Sequence, residues 1–60
     1  MHKFNVIFEV FNGNGTKQTR PIMVEAGNKK LATLRAMGII NKMDEFANLF
    51  KNVIRVEEVV

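Results

Sequence analysis

Along the first stretch of the chain, apolar and polar side chains alternate. Phe4, Val6, Phe8 and Val10 fall on one side; Lys3, Asn5, Ile7, Glu9 and Phe11 fall on the other. A two-residue period is that of a strand with one face turned to a core. A second alternating run, Lys17 to Ala26, sets Ile22, Val24 and Ala26 against Met23 and Glu25. Between the two lies Gly13-Asn14-Gly15, and the loop length decides how they pair, because a one-residue slip turns a whole face over. A three-residue loop sets Asn12 opposite Thr16, Val6 opposite Ile22, Phe4 opposite Val24 and Lys3 opposite Glu25. Both apolar sets then share a face, which a two- or four-residue loop would prevent. Hairpin loops of this length end in a left-handed residue, a conformation that Gly15 adopts at least cost.

Pro21 has no N–H to donate, so the second strand belongs at a sheet edge and the first becomes central. A third strand must pair on the first strand's free side, and Asn52 to Val60, rich in Val and Ile, supplies it. Simple alternation turns Ile54 and Val56 towards the core, and Val53, Arg55 and Glu57 outward. A helical crossover returns this strand antiparallel to the first.

In the middle of the chain, Asn28 is suited to cap a helix beginning at Lys29. Leu31, Leu34 and Met37 form one apolar stripe, and Met43, Phe46, Ala47 and Phe50 form another. A single helix through both would turn Leu34 and Met37 outward and bring Arg35 and Lys42 onto the stripe. A break at Gly38 to Asn41 avoids that conflict, so two helices are expected, the second short. The expected fold class is α+β: a three-stranded, mostly antiparallel sheet in the order 2-1-3, covered on one face by one or two helices, ββα(α)β. It forms a single small domain over residues 1–60.

Size and composition change the picture in one respect. A chain of 60 residues buries only about 60% of its unfolded surface, and such domains lean on disulfides, metals or partner subunits. The absence of cysteine excludes disulfides and thiolate metal sites, which adds weight to self-association. It also fits a reducing compartment. No apolar run approaches the roughly 20 residues of a membrane span, and Met1-His2-Lys3 does not lead into a signal-peptide core. A cytoplasmic protein without membrane attachment is expected. Asn14-Gly15-Thr16 is formally a glycosylation sequon but reads here as turn chemistry.

The chemical inventory is sparse. Serine, cysteine, tyrosine and tryptophan are absent, and His2 is the one histidine. Nucleophilic catalysis of the Ser–His or Cys–His kind therefore has no candidates. Asp44-Glu45 and Glu57-Glu58 are adjacent carboxylates, but neighbours diverge on a helix or a strand, so neither pair converges on a metal ion. The glycine-rich turn lacks phosphate-loop spacing and is not followed by a helix. The chain is read as a non-enzyme with no cofactor and no metal.

What remains is surface. The outer sheet face would show Ile7, Phe11, Pro21, Met23 and Val53 among polar residues, where a solvated sheet usually alternates cleanly. These five are the candidate protein interface, and the expected partner is a second copy or another protein. The alternative partner is nucleic acid. The net charge is +3, with six Lys/Arg against two Glu between Met1 and Arg35. Lys3, Lys17, Arg20, Lys29 and Lys30 would make the contact through the hairpin and first helix. Single-strand binders present two or three aromatic platforms on an open sheet, however, and only Phe11 qualifies here.

Overall fold

The computed structural model describes residues 1–59 of the chain. Strands β1 (His2–Phe11) and β2 (Lys17–Ala26) are followed by helix α1 (Lys29–Lys42) and strand β3 (Phe50–Val59). The sheet order is β2-β1-β3, and β1 runs antiparallel to both neighbours. This is the expected α+β layout with one helix; Val60, expected to end the last strand, lies outside the described residues. The molecule is elongated, with extents of 38 × 18 × 14 Å.

The hairpin takes the register set by its apolar pattern, with Val6 opposite Ile22, Phe4 opposite Val24 and Lys3 opposite Glu25. Its loop closes with the Asn12 N–H donating to the Thr16 carbonyl at 2.8 Å and the Gly15 N–H to the Asn12 carbonyl at 3.2 Å. Gly15 has φ +88°, the left-handed conformation this loop requires. The Thr16 hydroxyl donates to Asn14 Oδ1 at 2.7 Å, and the Asn12 amide donates to the same hydroxyl at 2.9 Å. Hydrogen-bonded and non-bonded pairs alternate along the ladder from Asn12–Thr16, which makes Ile7–Pro21 a non-bonded pair. The proline nitrogen thus faces the free edge of β2, where no donor is needed.

Phe4, Val6, Phe8 and Val10 are all buried beneath α1 and the segment that follows it. The helix is capped by Asn28, whose Oδ1 accepts from the Leu31 N–H at 2.9 Å. Its buried side is not the expected Leu31/Leu34/Met37 stripe. Ala32, Ala36 and Ile40, at four-residue spacing, face the sheet, while Leu31, Leu34 and Met37 are exposed. Two large aromatic rings, Phe4 and Phe8, rise from the sheet into the interlayer space. A close-packed layer already filled from one side takes small residues from the other.

The helix also continues through Gly38 to Lys42, and the expected second helix does not form. Residues 43–49 make successive three-residue turns: the Phe46 N–H donates to the Met43 carbonyl at 2.9 Å, and the Leu49 N–H to the Phe46 carbonyl at 3.1 Å. A three-residue period brings Met43, Phe46 and Leu49 to the core, with Phe46 buried, and leaves Ala47 exposed. Lys51, on the inner side of β3 opposite Val10, ties this segment down. Its ammonium donates to the carbonyls of Phe46 at 2.7 Å and Leu49 at 2.8 Å.

Strand β3 departs from simple alternation. Arg55 pairs with Ile7 but Val53 pairs with Phe8, so Ile54 is the extra residue of a β-bulge. The expected place of Val53 on the outer face is therefore corrected: Val53 packs against the core, as does Val56 opposite Val6. Ile54 and Arg55 lie between two inward residues and both fall on the outer side, with Ile54 exposed.

Candidate interaction surface

Among the described residues, no second layer covers one face of the sheet. Its central row comes from β1 through Asn5, Ile7, Glu9 and Phe11, each half-buried between neighbouring strands. From β2 come Pro21 opposite Ile7 and Met23 opposite Asn5, both exposed. From β3 come Phe50 opposite Phe11, and Ile54 and Arg55 beside Ile7. The Phe11 and Phe50 rings sit 5.5 Å apart, tilted by 55°. Phe50 remains 65% exposed, Met23 58% and Ile54 52%.

Four of the five interface residues expected from sequence therefore share this face: Ile7, Phe11, Pro21 and Met23. Val53 does not, and Phe50 and Ile54 join the face without having been expected there. The apolar spacing after Met43 suits Phe50 to a helix, and simple alternation turns Ile54 inward where the bulge in fact interrupts it. The apolar set on the face is larger than the alternation implies. Its charges balance: Lys3, Lys17 and Arg55 are matched by Glu9, Glu25 and Glu57 at outward register positions. Lys17 lies 3.5 Å from Glu9.

Both sheet edges are interrupted near their middles. Pro21 breaks the donor row of β2 and the Ile54 bulge breaks that of β3, two devices that discourage strand-to-strand addition. The sheet thus offers its open face more readily than its edges.

The five basic residues considered for nucleic acid are not brought together. Lys3 and Lys17 occupy outward register positions near opposite ends of the sheet. Arg20 pairs with Phe8 on the inner side, its guanidinium 5.5 Å over the Phe46 ring. Lys29 and Lys30 open the helix. His2 Nδ1 lies 2.9 Å from Glu58, while Glu57 points to the other face. Among the described residues no group of three or more His, Asp or Glu could hold a metal ion, and no helix is long and apolar enough to cross a membrane.

The inner layer leaves a cleft of about 300 Å³ between the end of α1 and β3. Phe8, Ile40, Leu49 and Val53 line it, together with Asn41 and Asn52. The Lys51 ammonium at this cleft is already engaged by two carbonyls. No family model, curated protein or solved structure matches this chain.

Proposed function

We propose that the protein is a small interaction module that self-associates through its open sheet face. The observation that carries this reading is the apolar set Ile7, Phe11, Pro21, Met23, Phe50 and Ile54, gathered on one charge-balanced face. Equal numbers of cations and anions suit a two-fold interface, in which each patch must be complementary to itself. Burying this face also gives a 60-residue chain the additional apolar area that its own core lacks.

The outcome follows from sedimentation velocity over a micromolar concentration series. A self-associating module shifts towards twice the chain mass as concentration rises. A single species at the chain mass throughout the series would refute the reading. The nucleic-acid alternative is not favoured by the placement of the five basic residues.

A further inference from the structure

The outer side of α1 is apolar as well, but its charge is of one sign. The helix carries Lys29, Lys30, Arg35 and Lys42 and no acidic residue. Because Ala32, Ala36 and Ile40 face the sheet, the opposite arc presents Leu31, Leu34, Gly38 and Asn41. Leu31 is 44% and Leu34 58% exposed, and the space in front of Gly38 is open. These four stand at i, i+3, i+7 and i+10, the spacing of a helix–helix seam. Lys30 on one side, and Arg35 and Lys42 on the other, occupy the positions flanking that seam, where facing helices exchange salt bridges.

We infer that the outward face of α1 docks an amphipathic helix of an acidic partner protein. Leu31 and Leu34 supply the apolar contact, and Gly38, with no side chain, lets the partner's backbone approach closely. Lys30, Arg35 and Lys42 select carboxylates along the partner's flanks. A second copy of this chain is disfavoured, since its helix carries four cations and no carboxylate to pair with them. A nucleic acid would set its phosphates against two leucines, leaving their apolar surface without a complement. The Arg35 guanidinium donates one N–H to the Glu25 carbonyl at 2.6 Å, which holds its head beside β2 with further N–H groups not used in that bond. This face lies on the layer opposite the open sheet surface. Its occupancy is therefore independent of self-association, and either can fail alone.

The test uses two labelled three-heptad peptides, both with Leu at the seam positions. One carries Glu and the other Lys at every flanking position. Fluorescence anisotropy with the full chain should show the Glu peptide binding about tenfold tighter than the Lys peptide at low salt. The preference should shrink as salt is raised. Leu31→Gln/Leu34→Gln should abolish binding with the circular dichroism spectrum unchanged, and Lys30→Glu/Lys42→Glu should reverse the preference. No binding of the Glu peptide, equal binding of both, or a preference that survives the charge reversal would overturn the inference. Binding only to phosphatidylserine vesicles or to a DNA duplex would overturn it too, by identifying a different occupant.

Discussion

Phe11 and Phe50 face each other across β1 and β3 with ring centroids 5.5 Å apart, on the side of the sheet that no second layer covers among the described residues. Phe50 makes that contact while remaining mostly exposed, so its contribution to the isolated fold is limited to the ring pair. Phe50→Ala should cost only about 0.5–1.5 kcal/mol, the worth of an aromatic pair. Urea unfolding of the variant at the lowest workable concentration measures this. A loss the size of a core truncation would show that the residue is buried in the fold itself.

The contact between helix and sheet runs through alanines. Ala36 is fully buried, whereas Leu34 is exposed on the opposite side of α1. Enlarging the first, Ala36→Leu, should destabilise by about 1–3 kcal/mol through overpacking. Truncating the second, Leu34→Ala, should change stability by no more than about 0.5 kcal/mol. Chemical denaturation of the two variants side by side checks the order, which is the reverse of what residue size alone suggests.

The bulge in β3 gives a similar pair. Val53 packs on the core and Ile54 is exposed outside it. Val53→Ser should cost about 1–2 kcal/mol, because the valine methyls no longer bury apolar surface there. At the lowest workable concentration, Ile54→Ser should stay within about 0.5 kcal/mol. Equal losses in thermal or urea unfolding would argue for unbroken alternation.

Lys51 gives the segment after the helix its shape by holding the carbonyls of Phe46 and Leu49 at 2.7 and 2.8 Å. Lys51→Met keeps the length of the side chain and removes the donors. It should cost about 1.5–3 kcal/mol, the range for hydrogen bonds made by a charged group. Amide exchange should accelerate at Leu49, whose N–H donates to the Phe46 carbonyl in the same turn. Unchanged protection there would mean that the turns hold without the lysine.

These residues also show where the sequence is legible. The hairpin register can be read because a slip of one residue would expose Phe4, Val6, Phe8 and Val10, and only one loop length avoids it. Pro21 then fixes the strand order, since an edge is where its missing N–H does no harm. The helix face is harder to read. Apolarity distinguishes Leu31 from Lys30 but does not say which of Leu34 and Ala36 fits over Phe4 and Phe8; the free space decides, and it is known only once both layers are assembled. Residues 43–49 have an apolar spacing compatible with four-residue or three-residue turns, and the Lys51 bonds that accompany the latter come from beyond the segment. The Ile54 bulge leaves no mark in the alternation itself. Its effect on the candidate surface is to exchange Val53 for Ile54, a larger and more exposed side chain.

Self-association through the open face is the central claim, and Phe50 is its most exposed large aromatic residue. Glutamate at this position would replace the exposed ring at the Phe11 end of the apolar set with a charge while leaving the core untouched. The direct measurement is sedimentation velocity of the native chain and of Phe50→Glu at matched micromolar concentrations, with circular dichroism confirming that both are folded. The native chain should sediment increasingly as a dimer as concentration rises, and Phe50→Glu should remain at the mass of one chain. A native chain that stays monomeric, or a Phe50→Glu variant that dimerises as well as the native one, would contradict the account.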